Sequence, residues 1–139
     1  MAYDPNNIFA KILRGELPAH RVYEDDEVFS FMDIFPQARG HTLVIPKVDA
    51  ENFFDLPPEW ASKLILKTQM IAKAVHDVVE PDGVFIAQFN GASAGQTVFH
   101  IHYHIIPRWK GVAMPGHGNT AKADDAELAA LAAEIGAKV

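Results

Sequence analysis

The chain of 139 residues is 49% hydrophobic and 22% charged with a net charge of −6, the profile of one ordinary globular domain long enough to bury a core. An acidic balance with no basic stripe excludes a protein whose main task is coating nucleic acid, although it leaves room for a small phosphorylated ligand. No cysteine is present, which excludes disulfides, thiolate metal sites and cysteine nucleophiles; without an apolar run of roughly eighteen residues or a secretory pattern at the N-terminus, a cytoplasmic soluble domain is expected.

From the N-terminus, Asp4 and Pro5 ahead of Ile8, Phe9, Ile12 and Leu13 predict a short helix over residues 6–15, with Asp4 as its cap and Gly15 as its stop. Spacing alone assigns the apolar face of this helix to core packing. Residues 21–24 and 28–33 are rich in strand formers and flank Asp25-Asp26-Glu27, which predicts a hairpin. Pro36 and Gly40 punctuate a loop, and residues 41–46 predict a third strand that ends at its proline. Asp33, at a strand end, reads by itself as a turn cap.

A long helix is expected from about Asp55 through Val79, with Trp60, Leu64, Ile71, Val75 and Val78 near one face and Lys63, Lys67 and Lys73 toward water. His76, on the same helix, reads as a surface residue. The segment from Glu80 to Gly83 turns the chain into a strand over residues 84–89, and a loop of small residues follows over 90–96. Such residues let backbone amides approach a ligand, although a simple hairpin loop needs the same composition. Beyond Pro107 the chain leaves the sheet and residues 114–119 are irregular. Acids at 124, 125 and 127 then begin an alanine-rich helix to about Ile135. The fold class is therefore α+β: a mainly antiparallel five-stranded sheet with a short N-terminal helix, a long helix and a C-terminal helix. One domain over residues 1–139 is expected, with a core at about 5–110 and a tail at 111–139.

Residues 99–106 demand a chemical explanation, because His100, His102 and His104 alternate there with Ile101 and Tyr103. This period predicts a strand with the imidazoles on one face. At ~3.3 Å per residue, neighbouring imidazoles lie about 6.6 Å apart and the outer two roughly 13 Å apart. A metal ion bound at about 2.0–2.1 Å per nitrogen reaches two of the three and needs a further ligand such as His41 or His117. Attack by a neutral imidazole on phosphorus or an acyl centre suits the wide spacing better, with His102 attacking and its neighbours holding the ligand. Ser93 lacks an elbow motif and offers no competing nucleophile. A structural or pH-responsive histidine cluster is the third reading.

The run His100-Ile101-His102-Tyr103-His104-Ile105-Ile106 resembles the signature of the histidine triad (HIT) superfamily of nucleotide hydrolases and transferases. Residues 31–47, 8–12 and 95–99 are similar to further blocks of that family, in the same order, within about residues 5–110. The resemblance implies that His102 is the nucleophile nucleotidylated on the α-phosphate, that His100 orients the site and that His104 contacts phosphate oxygen. It implies a supporting role for His41, and for Gln96 and Thr97 a role in holding phosphate or assisting the leaving group. Asp33 would hold the ribose hydroxyls. Phe9, Ile12, Phe31 and Ile34 would surround the base, and Asn90 and Gly95 would lie in the loop near ribose and phosphate.

The reaction so implied releases a nucleoside monophosphate, with AMP the expected one, from a phosphoramidate or phosphoanhydride through a nucleotidyl-histidine intermediate. The resemblance implies that no metal or other cofactor is required. The expected partner is a small-molecule nucleotide, with no nucleic acid or membrane, and a homodimer with the long helix at its interface is implied. Residues 9–12 and 33–38 resemble the nucleotide-binding phosphoramidase branch, whereas residues 96–98 and 106–108 resemble the dinucleoside polyphosphate hydrolase branch. A metal-dependent hydrolase and a non-catalytic nucleotide-binding adaptor stand as alternatives.

Overall fold

The computed structural model describes residues 2–117 and 120–139 of the chain. Among them, helix α1 (Ile8–Leu13) leads into strands β1 (Arg21–Glu24), β2 (Val28–Met32) and β3 (Thr42–Pro46). Helix α2 (Pro58–Val79), strands β4 (Gly83–Ala87) and β5 (Tyr103–Arg108) and helix α3 (Asp125–Gly136) follow. The strands form one sheet in the order β1-β2-β3-β5-β4, and every neighbouring pair is antiparallel. This is the α+β architecture expected from the periodicities.

Alternation along the strands gives the sheet two unlike faces. Val28, Val44 and Ile105 point to one of them, where Leu64, Ile71 and Val75 of α2 and Leu128, Leu131 and Ile135 of α3 complete a continuous core. Leu64, Ile71 and Val75 are wholly excluded from solvent, and burial of this kind favours folding by about 1.5–3 kcal/mol per side chain. Phe31, Leu43 and Ile45 point to the opposite face, where Phe9, Ile12 and Leu13 of the short helix α1 cover them. With both faces covered, all five residues of β3 are buried. Lys67 reaches Asp25 at 2.7 Å and Lys63 reaches Glu27 at 3.5 Å, so these lysines, on the solvent side as expected, also tie α2 to the β1–β2 turn.

Two element boundaries differ from expectation for identifiable reasons. The cap of α1 is Asn7 rather than Asp4: the Asn7 side chain accepts from the Ala10 N–H at 2.9 Å, while Asp4 accepts from Asn6 in the turn before. Both residue types cap well, and the one adjoining the apolar run prevails. The larger difference concerns the histidine stretch. The expected strand over 99–106 begins only at Tyr103, so His104 belongs to β5 while His100 and His102 precede it.

The ladder explains this. β3 pairs with β5 from Thr42↔Ile105 to Val44↔Tyr103 and no further, although β3 itself runs on to Pro46 beside β2. Beyond that point His100 Nε2 donates to the Pro46 carbonyl at 2.9 Å, and Ile101 N–H donates to the Ala50 carbonyl at 2.9 Å. The strand expected over 84–89 likewise stops at Ala87, whose partner on β5 is His104. Of the irregular stretch 114–119, Gly118 and Asn119 lie outside the described residues.

Candidate active site

The three histidines of the signature have different partners, and each partner decides where the ring carries its proton. A carbonyl oxygen can only accept, so His100 donates through Nε2 to Pro46 and accepts at Nδ1 from the Tyr3 hydroxyl at 2.5 Å. His102 Nδ1 lies 2.7 Å from the His100 carbonyl and donates to it. Its Nε2 is therefore the unprotonated nitrogen, with a lone pair available for attack.

A second chain of hydrogen bonds runs through His41. The Gln37 backbone N–H donates to His41 Nδ1 at 3.0 Å, so His41 carries its proton on Nε2 and donates it to His104 Nδ1 at 2.9 Å. His104 then carries its own proton on Nε2, a buried atom with no hydrogen-bond partner among the described residues. A donor held in a dry site suits an anionic oxygen. Asp33 stands beside this chain: Oδ1 accepts from the Phe35 N–H at 2.8 Å, and Oδ2 lies 3.4 Å from His41 Nε2.

Burial is the leading cause of every shift in proton affinity here. It drives His41 down to about 3, His102 to about 4 and His104 to about 2, and repulsion from neighbouring imidazoles adds to it. For His102 the bond to the His100 carbonyl opposes the fall. His100 is lowered by burial as well, against the Pro46 carbonyl. All four rings are therefore neutral near pH 7, which agrees with the proton positions that the hydrogen bonds assign. Burial acts the other way on the Asp33 carboxyl, raising it to about 6 against the opposing Phe35 N–H.

A cavity of about 370 Å³ opens in front of His102 and His104, a size suited to a small organic ligand. Phe9, Ile12, Phe31 and Leu43 form its apolar wall, and Asp33, Ile34, Thr97 and Val98 also line it. Phe9 meets His102 edge-on at 4.8 Å and Phe31 at 5.2 Å, so α1 takes part in the site as well as in packing.

Three of the sequence candidates stand behind the cavity and hold its loop. Gln96 spends its amide internally: Oε1 accepts from Gly91 N–H at 2.8 Å, and Nε2 donates to the Glu51 and Val98 carbonyls at 2.7 and 3.0 Å. Asn90 Oδ1 accepts from the Phe53 N–H and from Gln88 Nε2, both at 2.8 Å. Gly95 has a φ of +104° beside the Phe89 ring, a conformation that disfavours any side chain. His100 also faces away from the cavity and contributes through its carbonyl.

The tail supplies groups that no local pattern marked as part of a nucleotide site. His117 and Thr120 line the cavity, and the His117 ring packs against His104 at 5.1 Å and Phe89 at 5.3 Å. Tyr3 and Gln37 escape sequence reading for another reason: one acts through a hydroxyl far from the signature, the other through a backbone amide.

Among the described residues, Asp33, His41 and His104 are the group whose ligand atoms, all within 4.8 Å, lie close enough to hold a metal ion. The facing nitrogens of His41 and His104 already share a proton at 2.9 Å, an arrangement that fits a hydrogen-bonded chain.

A family model described as HIT domain matches residues 14–111. The chain is 46% identical over 104 residues to Protein hit of Bacillus subtilis (strain 168), covering 75% of this chain and 72% of that one. It is 39% identical over 101 residues to adenylylsulfatase HINT3 of Arabidopsis thaliana, covering 73% of this chain and 51% of that protein. The crystal structure of a Hit-like protein involved in cell-cycle regulation from Bartonella henselae, with an unknown ligand, matches it at a TM-score of 0.93. The two are 47% identical and the match covers 100% of both chains.

Proposed function

Because the chain belongs to the HIT family, a family of nucleotide-binding proteins and nucleotide hydrolases, we propose that it releases AMP from a phosphoramidate or phosphoanhydride through a covalent intermediate on His102. The observation that carries this reading is the lone pair of His102 Nε2. The His100 carbonyl holds the proton on Nδ1, and burial keeps the ring neutral. His102 Nε2 attacks the α-phosphorus and the bond to the leaving group breaks. Water then attacks the phosphorus and returns the electron pair of the P–N bond to His102.

His104 Nε2–H donates to a non-bridging phosphate oxygen, and His41 positions it. Asp33 accepts from the ribose hydroxyls, while Phe9, Ile12, Phe31 and Ile34 enclose the base. Thr97 meets the phosphate side, and Gln96, Asn90 and Gly95 hold the loop that carries it. His104 Nε2–H is the donor this route offers the phosphate, and no step of it calls for a metal. The Arabidopsis relative is an adenylylsulfatase by name, and an AMP–sulfate anhydride is one substrate of this class. Dinucleoside polyphosphates contain a related bond. A nucleotide substrate fits action in the cytoplasm, and no described helix is long and apolar enough to cross a membrane.

A homodimer belongs to the same reading. Ile65 and Leu66 of α2 and Ile86 of β4 are exposed around one shallow groove, and a second copy placed two-fold against it buries the same residues on both sides.

The experiment is a quench of the enzyme mixed with an adenosine phosphoramidate labelled at phosphorus, with chelator present. The expected result is acid-labile label on His102. Turnover without labelled protein overturns the covalent route. Tight AMP binding with no turnover of phosphoramidate, adenylylsulfate or diadenosine polyphosphate identifies an adaptor instead.

A further inference from the structure

His117 has no part in that scheme, yet it stands inside the site. Its Nε2 is buried and has no hydrogen-bond partner among the described residues, a condition it shares with His104 Nε2. The tail that brings it is anchored on both sides. Gln37 Nε2 donates to the Pro115 carbonyl at 2.8 Å, Thr120 Oγ1 to the Phe35 carbonyl at 2.7 Å, and Ala123 N–H to the Ile34 carbonyl at 2.9 Å. Gln37 and Phe35 are also the residues whose amides hold His41 and Asp33.

Four rings follow one another in contact, Phe9 on His102, His102 on His104 and His104 on His117, with successive centroids 4.8, 4.9 and 5.1 Å apart. Phe9 belongs to the apolar wall that takes the base, and the two central rings face the α-phosphate. The group on the far side of the phosphorus from the nucleoside then lies toward His117. We propose that His117 is a catalytic residue of this chain, passing a proton through Nε2 to the leaving group. The inference rests on the nucleotide hydrolase reading above.

With a phosphoramidate, His102 Nε2 forms its bond to phosphorus, the bond from phosphorus to the leaving nitrogen breaks, and the electron pair stays on that nitrogen. The proton of an imidazolium at His117 Nε2 makes the departing group a neutral amine. His117 is left neutral and takes a proton from the attacking water in the second displacement, which restores the starting state. Burial lowers the proton affinity of His117 in the free protein, and an anionic phosphate bound beside it opposes that shift. His104 on β5 is the titratable group packed against it, with His102 and His41 beyond, and all three are neutral.

A leaving group that departs as a stable anion needs no proton, so reliance on His117 increases with leaving-group basicity. The test compares His117→Ala and His117→Gln with wild type on an alkyl-amine phosphoramidate of AMP and on adenylylsulfate. The expected result, read as the single-turnover rate at which His102 becomes nucleotidylated, is a fall of about 10²-fold or more with the phosphoramidate and of no more than about 3-fold with adenylylsulfate. Added imidazole should restore part of the phosphoramidate rate of His117→Ala. An equal fall on both substrates, or no fall on the phosphoramidate, overturns the inference while leaving His102 chemistry intact. A wild-type protein that turns over no AMP derivative overturns the functional reading, and this inference with it.

Discussion

The helix-covered face of the sheet and its cavity face are built on the same strands and use burial for different ends. On the first, Val28, Val44 and Ile105 pack with Leu64 and Ile71, all fully excluded from water, and no side-chain polar atom among them needs a partner. On the second, His104 is as deeply buried, but each ring nitrogen has an assigned role, and exclusion of water keeps the imidazole neutral. Ile105 and His104 are consecutive in β5, so anchoring one on the helix side fixes the direction of the other. One layer supplies cohesion, and the other converts that rigidity into proton placement.

The sharpest way to separate the two faces is to remove a group from each. His102→Ala is expected to lower turnover at least about 10³-fold per folded molecule, with about 1–3 kcal/mol of stability lost because the His100 carbonyl loses its buried donor. Rate assays beside denaturant unfolding check both halves. Leu64→Ala is expected to act on stability alone: about 2–5 kcal/mol lost to the cavity it leaves, with kcat per folded molecule unchanged. A loss of kcat in fully folded Leu64→Ala protein would show that the faces are not separable.

Asp33→Asn is a milder intervention on the cavity face. Removing the charged acceptor is expected to raise KM on the order of 10-fold through one weakened charged hydrogen bond. In wild type the carboxylate takes up a proton as pH falls through about 6, so KM should rise below that pH, and the Asp33→Asn variant should stay flat. A wild-type KM without this inflection removes Asp33 from ribose binding.

The smallest effect is on stability against pH. His41, His102 and His104 have folded proton affinities below the ordinary 6.5, at about 3, 4 and 2. Their neutral forms contribute fully above 6.5, and the contribution is lost as pH falls from 6.5 toward those values, because the unfolded chain binds the protons first. Asp33 is raised instead, and its contribution is present below 3.8 and lost as pH rises toward 6. Three groups outweigh one, so the melting temperature should fall between pH 7 and pH 5, and replacing His41 with Gln should flatten that slope. An unchanged slope would mean that these rings are not kept neutral by the fold.

Much of the fold was legible because its signals are local. The strand pairs on either side of Asp25-Asp26-Glu27, the long run to Val79 and the acidic start at Asp124 carry their periods and caps within a few residues. The alternation of His100, His102 and His104 misled in one respect, since a period of two describes a strand only where a partner continues the ladder, and the pairing with β3 goes no further than Val44↔Tyr103. Asp33 shows the converse. Its turn-cap role with Phe35 is real, and the second carboxylate oxygen, turned toward His41, is what a local reading misses.

By itself the sequence determined the elements, the α+β class and the histidine signature, because each is written in spacing along the chain. Only the tertiary structure decided which nitrogen of each ring holds the proton. That depends on the carbonyl of Pro46, the amide of Gln37 and the hydroxyl of Tyr3, groups brought from other segments. It also decided that His117 meets His104, since that contact follows from the path of the tail across residues 34–37, and no periodicity encodes a path.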